Sequence, residues 1–318
     1  MFPPTQDKEI ENTTTINTYV KNKDNDNFII ILNETLCCQY HHFLLSISNQ
    51  FESKKWKMKN FRNFIITNLK ECALTEQERQ SLAGNEGEIL DKAISKLRID
   101  ERSGEIGEIF LHGIMREYYN ALPIVPKIFY KQNRNMEAFG FDSVHLTIEN
   151  QEYHLWLGES KLYKNLDDAI RKATKSLKDN LSDETILNEA RIIANLHELD
   201  NLAKHHNIET STLTNFKQII NGNINLDNLK GILHVPISII YDCDYTKKIE
   251  EITDDYKTTI KNFHKENGNK ISEEIKNLLN EITYIDRIKF HIILFPIPDK
   301  EEIISKINKI FESYRNAD

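Results

Sequence analysis

Three charged residues occupy positions of a β-hairpin pattern where apolar side chains would be expected. From Phe141 to Lys161 the sequence reads FDSVHLTIENQEYHLWLGESK, two runs of alternating apolar and polar residues, as in strands that each bury one face. Asp142 falls on the apolar face of the first strand, and Glu159 and Lys161 fall on the apolar face of the second. Charges in such a place cost free energy unless they are paired or bind a cation.

The strand register decides whether the two carboxylates meet. With a two-residue turn at 150–151, Asp142 lies directly opposite Glu159. Facing side chains are about 5 Å apart at Cβ, where like charges destabilise a sheet. A divalent metal ion accepts oxygen ligands at this separation, and Lys161 lies one pleat further along the same face. The hairpin therefore predicts a metal site, the alternative being an edge hairpin whose three charges are exposed at its open end.

Other copies of the Glu-x-Lys spacing show why context matters. The same spacing occurs at 52–54 and at 274–276, but neither copy follows an apolar strand with an acidic residue opposite. Only the 159–161 copy ends an apolar strand and precedes a basic helix, so it is the one to which we assign chemistry.

Length and composition indicate a soluble globular protein with one elaborated domain or two smaller ones. The chain has 318 residues, 39% hydrophobic and 28% charged, and no apolar run long enough to span a bilayer. The start MFPPTQDKEIE lacks the features of a signal peptide, and the four cysteines lack zinc-type spacing, which favours reduced thiols and a cytoplasmic location. A catalytic role for Cys37 or Cys38 with a nearby histidine is the less common alternative to structural thiols.

The element pattern predicts an α/β fold (an α+β mixed sheet flanked by helices). Predicted strands lie at 28–32, 127–131, 232–241 and 288–297, besides the hairpin, and 36–49 fits either a helix or a strand. Predicted helices lie at 75–97, 102–120, 166–177, 184–207, 300–314 and, as a polar pair, within 246–281.

Two basic segments are candidates for nucleic-acid contact. Lysines and Arg62 alternate with aromatic residues in 54–62, although a solvated strand or helix face is the favoured interpretation of this pattern. The helix after the hairpin has a basic outer side formed by Lys164, Arg171, Lys172, Lys175 and Lys178. The net charge of −8 argues against a protein that grips nucleic acid strongly by itself.

Several motifs resemble a known family. Asp142 followed by Glu159-Ser160-Lys161, with a helix before and a helix after, resembles the core of the PD-(D/E)xK nuclease superfamily, although Phe141 replaces the proline of that motif. EIGEIFLHGIMREYY at 105–119, GFDSVH at 140–145 and LWLGESK at 155–161 resemble the HamA family, the nuclease subunits of the Hachiman anti-phage defence system. The resemblance covers roughly residues 100–180.

The resemblance implies a role for each residue of the site. Asp142 and Glu159 would bind Mg²⁺, with Mn²⁺ as a plausible substitute, and Glu108 would complete the metal site directly or through water. Lys161 would position or deprotonate the attacking water and stabilise charge on the phosphate. This division of roles agrees with the chemistry of phosphodiester hydrolysis, which needs a metal ion and a cation for the developing charge.

The resemblance also implies an organisation and a partner. Residues 1–98 would form an accessory region, and 99–318 a restriction-endonuclease-like core with helical insertions near 182–228 and 245–283. The sequence has no Gly-x-x-x-x-Gly-Lys-[Ser/Thr] loop for ATP, so a separate helicase subunit would supply ATP hydrolysis and DNA loading. Two alternatives stay open: a stand-alone restriction- or repair-type endonuclease, and a non-catalytic adaptor that binds DNA or a partner.

Overall fold

The apolar runs of the sequence form the strands of one mixed sheet. The computed structural model describes residues 15–21, 27–98, 104–128, 140–149, 152–205, 208–220 and 226–315. The strands of the sheet are β1 (Ile29–Cys37), β2 (His42–Ser48), β5 (Leu122–Pro123), β6 (Ser143–Glu149), β7 (Glu152–Tyr163), β8 (Leu233–Asp242) and β9 (Lys289–Ile297). Their order is β1-β2-β9-β8-β7-β6-β5, with β2, β9, β8 and β7 parallel and the remaining pairs antiparallel. Strands β3 (Phe51–Glu52) and β4 (Lys55–Trp56) pair separately.

Helices cover both faces of this sheet. The helices are α1 (Met58–Ala73), α2 (Glu76–Ser81), α3 (Glu86–Ser95), α4 (Glu105–Tyr119), α5 (Leu166–Asn180), α6 (Asp183–Ala194), α7 (His197–His205), α8 (Thr210–Ile220), α9 (Leu226–Gly231), α10 (Asp244–Lys248), α11 (Asp254–Lys276) and α12 (Lys300–Arg315). One apolar core lies between the sheet and helices that include α5, α6 and α11, and the second lies beneath α1, α3, α4 and α12. The predicted α/β fold with a mixed sheet flanked by helices is confirmed.

Most predicted elements are present, and three differ. The predicted helix at 75–97 begins with a capping box of Thr75 and Glu78, but it divides into α2 and α3 near Gly84, whose φ of +92° is not helical. The single helix predicted for 184–207 is two helices, α6 and α7. The predicted strand at 127–131 is wrong for Lys127 and Ile128, which are helical, and 129–131 lie outside the described residues.

Helix α4 packs tightly because it carries glycines where its neighbours come closest. A Cβ at Gly107 would lie 2.8 Å from Ser160 Oγ on β7, and a Cβ at Gly113 would lie 2.5 Å from Phe64 Cζ on α1. Contacts this short would force backbone or rings apart, so the two glycines allow α4 to fit between α1 and the sheet.

The N-terminal region contributes to the same sheet and core. Strands β1 and β2 extend the sheet beyond β9. On the α4 side, Tyr19 packs edge-on against His234 and His291, with ring centroids 4.8 and 5.2 Å apart. His234 is hydrogen-bonded to His291 at 3.0 Å, and burial holds the pKa of both well below the usual histidine value. The boundary at residue 98 stays a prediction, but residues before it belong to the central sheet.

None of the helices in the described part of the chain combines the length and the apolar character needed to cross a lipid bilayer.

Replacing Gly158 by alanine is expected to destabilise the fold. A Cβ there would overlap Ser143 Oγ across the β6–β7 pair and would lie 2.9 Å from Leu111 Cδ2 on α4. Overpacking of this kind costs about 1–3 kcal/mol, which urea denaturation can measure. Gly87→Ala in α3 is the matched control, since the nearest atom to its Cβ would be 3.6 Å away. Equal stability of the two variants would contradict the packing described here.

Candidate metal site

The β6–β7 hairpin has the predicted register. Ser143 pairs with Gly158, Leu146 with Leu155 and Ile148 with Tyr153, and the regular ladder ends one pair before Asp142 and Glu159. Glu149 pairs with Glu152, as predicted, and residues 150 and 151 between them lie outside the described part of the chain.

Asp142 is tied to the end of strand β7. Its backbone N–H donates to the carbonyl of Gly158 at 2.7 Å, and its carboxylate Oδ2 accepts from the N–H of Ser160 at 2.9 Å. These two bonds hold the carboxylate across the end of β7, so the aspartate lies beside Glu159 as the register predicts.

Glu159 is buried and has polar partners on both carboxylate oxygens. Lys161 Nζ donates to Oε1, and Asn180 Nδ2 on α5 donates to Oε2 at 3.4 Å. The Glu159 side chain is only 4% exposed, and Lys161 is 15% exposed. Burial and then the charge of Asp142 raise the pKa of Glu159, while Lys161 and the hydroxyl of Ser176 oppose that shift.

The donor set suits a hard divalent cation. Two neighbouring carboxylates, one of them buried with its pKa raised, form a site of concentrated negative charge that a cation stabilises. Each carboxylate oxygen has a second lone pair, so the bonds from Lys161 and Asn180 leave capacity for a metal ion. Mg²⁺ is commonly bound by one or two carboxylates and several waters, which fits Asp142 and Glu159.

Glu108 is not brought into this pair as a third carboxylate. It lies on α4, which packs through Gly107 against Ser160, the face of β7 opposite to that of Glu159 and Lys161. Among the described residues, no group of three or more His, Cys, Asp or Glu side chains is placed to share one metal ion. The role of Glu108 in the metal site stays a prediction.

The basic residues of the following helix divide into paired and unpaired groups. Lys164 forms an ion pair with Glu301, and Arg171 forms one with Asp168. Lys172 and Lys175 are exposed and form no ion pair with the described residues. Because Lys172 is one turn before Ser176, which contacts Glu159, these two lysines are the free positive charges nearest the site along α5.

The other sequence candidates do not assemble a site. His42 Nδ1 is hydrogen-bonded to Ser272 Oγ at 2.6 Å, and burial lowers the pKa of His42 to about 4. The Nδ1 atom of His42 is thus engaged by Ser272, although His42 pairs with Cys37 across β1 and β2. In the basic segment, Lys54 pairs with Glu250 and Lys57 with Glu52, as expected of a solvated surface.

Sequence reasoning missed Ser176 and Asn180. Both lie on α5 four residues apart, and they continue the inward-facing line of Ala169 and Ala173 with polar side chains. Polar residues that continue a buried stripe signal a buried polar partner, and here that partner is Glu159.

Fold and site define an α/β protein with a nuclease-like architecture, in which an acidic pair and a lysine lie at the end of a central hairpin. The HamA family model matches residues 17–311 of the 318-residue chain, and the chain belongs to the HamA family. It is therefore a protein of the Hachiman defence system, which has several subunits. No curated protein matches the chain.

Asp142→Asn is expected to keep the stability of the metal-free protein and to lose its response to Mg²⁺. The asparagine removes one of two neighbouring charges, and its Oδ1 can still accept from Ser160 N–H. Asp142→Ala leaves that N–H without its acceptor, at a cost of about 1–3 kcal/mol. Melting temperatures in EDTA and in millimolar Mg²⁺ separate the effects, since a ligand that binds only the folded state raises the melting temperature. An equal rise with Mg²⁺ in wild type and Asp142→Asn would refute the site.

Proposed function

We propose that this chain is the metal-dependent nuclease subunit of its defence complex, hydrolysing phosphodiester bonds of DNA together with a helicase partner. The observation that carries the proposal is the placement of Asp142 beside buried Glu159, with Lys161 on the same face of β7. HamA membership supports the same reading, because that family is associated with a nuclease-like role in Hachiman defence.

Each residue of the site has a distinct part in this proposal. Asp142 and Glu159 would hold Mg²⁺, which when bound polarises the phosphate and lowers the pKa of water. Lys161 would leave Glu159 Oε1 to contact a phosphate oxygen or the attacking water, bringing positive charge to where negative charge develops. Asn180 and Ser176 keep Glu159 in one orientation while Lys161 moves.

The charge distribution supports a second subunit. The chain carries a formal charge of −8, and it has no phosphate-binding loop of the ATP-motor type. A helicase subunit would supply ATP hydrolysis and much of the DNA grip. The local contribution of this chain would come from Lys172 and Lys175 on α5.

The decisive activity test is cleavage of supercoiled plasmid with Mg²⁺ or EDTA, with and without the helicase subunit. We expect cleavage only with Mg²⁺, and losses of about a hundredfold or more for Glu159→Gln and Lys161→Ala, because each removes a group that acts on the transition state.

The control is the exposed Glu-x-Lys copy at 52–54. Glu52→Gln with Lys54→Ala makes the same two chemical changes on the surface and is expected to leave cleavage unchanged. Wild-type rates for folded Glu159→Gln and Lys161→Ala would overturn the proposal.

Removing the two unpaired lysines of α5 is expected to weaken DNA binding without affecting the metal site. Each lysine that contacts a phosphate adds about 1 to the salt slope of binding, so Lys172→Ala with Lys175→Ala should lower that slope by about 2. Binding to a labelled duplex over a range of salt concentrations measures it. Lys306→Ala with Lys309→Ala on α12 is the control for removing two lysines, since that helix covers the opposite face of the sheet, although Lys306, unlike the α5 lysines, pairs with Glu302. Identical slopes for the two double variants would exclude α5 as the DNA-contacting surface.

A further inference from the structure

The segment that brings Asp142 into the site is held by two helices. The backbone N–H of Gly140 donates to the carboxylate of Glu189 on α6, and the carbonyl of Gly140 accepts from Asn180 Nδ2 at the end of α5, at 3.1 Å. Gly140, two positions before Asp142, is thus hydrogen-bonded through both its backbone N–H and its backbone carbonyl.

Glu189 is a buried acid whose carboxylate faces this backbone. It is only 2% exposed, and it also faces the N–H of Phe141. A carboxylate taken out of water costs free energy that packing alone does not repay. The contact with Gly140 N–H, the charge of Lys127 and the contact with Phe141 N–H offset that cost.

Asn180 connects the same segment to the opposite carboxylate. Its Nδ2 donates both to the carbonyl of Gly140 and, at 3.4 Å, to Oε2 of Glu159. The Asn180 side chain therefore contacts both the segment that leads to Asp142 and the carboxylate of Glu159.

Gly140 fits between the two side chains because it has no Cβ. A Cβ at this position would lie 3.1 Å from Asn180 Oδ1 and 3.2 Å from Glu189 Oε1, closer than almost all such contacts. Because Asn180 and Glu189 lie close to Gly140 on both sides, they restrict the position of the backbone that leads to Asp142.

We propose that Glu189 and Asn180 are positioning residues that set the geometry of Asp142 relative to Glu159, and with it the affinity of the site for a divalent cation. This inference depends on the proposed nuclease function only where cleavage of DNA is used to measure Mg²⁺ affinity. Metal ions tolerate little variation in ligand position, and removing a group that orients a ligand typically lowers metal affinity by about 10- to 100-fold.

The test separates metal affinity from chemistry. The Mg²⁺ concentration for half-maximal cleavage should rise about tenfold or more in Glu189→Ala and Asn180→Ala, with the rate at saturating Mg²⁺ changed much less. Glu189→Gln should restore most of the affinity, because its amide oxygen can still accept from Gly140 N–H. Glu184→Gln and Asn188→Ala, exposed on the same helix α6, are controls expected to match wild type.

Hydrogen exchange of the Gly140 and Phe141 amides tests the holding contact without any activity. These amides should exchange faster in Glu189→Ala than in wild type, while protection in β8 stays unchanged. If the wild-type protein neither cleaves DNA nor responds to Mg²⁺, that result counts against the proposed nuclease function. Hydrogen exchange of the two amides then tests by itself whether Glu189 holds this segment. Unchanged exchange, or unchanged Mg²⁺ dependence in an active Glu189→Ala protein, would overturn the inference.

Discussion

The site depends on the electrostatic cost of keeping two carboxylates together at the end of a hairpin. Glu159 is buried, Asp142 lies beside it, and burial and that neighbouring charge together raise the pKa of Glu159. Lys161 and Ser176 oppose that shift, and Asn180 donates a further hydrogen bond to the same carboxylate at 3.4 Å. Perturbed buried carboxylates cluster at sites that bind a cation or carry out a reaction, and this environment makes the hairpin different from an edge hairpin with exposed charges.

The surrounding fold keeps the pair in place from three directions. Strand β8 pairs with β7 alongside Glu159 and Lys161, and α4 approaches the other face of β7 where Gly107 meets Ser160. Helices α5 and α6 hold Gly140 and Glu159 through Asn180 and Glu189. The acidic pair is thus built from parts distant in sequence, which gives the rigidity that a ligand site needs.

The strongest local patterns were predictable from the sequence. The period-2 alternation of the hairpin predicted its strands, and a two-residue turn predicted its register, because a slip of one residue would have exposed its apolar face. The helical periodicity of 105–119 predicted α4 in the same way. These elements are specified by their own residues.

What could not be predicted depends on long-range packing. The break between α2 and α3 is an exception, because it lies at Gly84, a residue that weakens a helix in any sequence, although the apolar pattern alone continues across it. Glu108 fits the resemblance in sequence, but which face of β7 its helix covers is decided by tertiary contacts at Gly107. Asn180 and Glu189 reach the site from helices whose packing only the folded chain defines.

If Asp142 and Glu159 bind a divalent cation, that cation can be located directly in a crystal. Crystals of the protein soaked in Mn²⁺ and measured at a wavelength where manganese scatters anomalously would show its position. We expect one strong peak between the two carboxylates, about 2.1 Å from an oxygen of each. A peak elsewhere, or none at saturating Mn²⁺ in a crystal where both side chains are accessible, would contradict it.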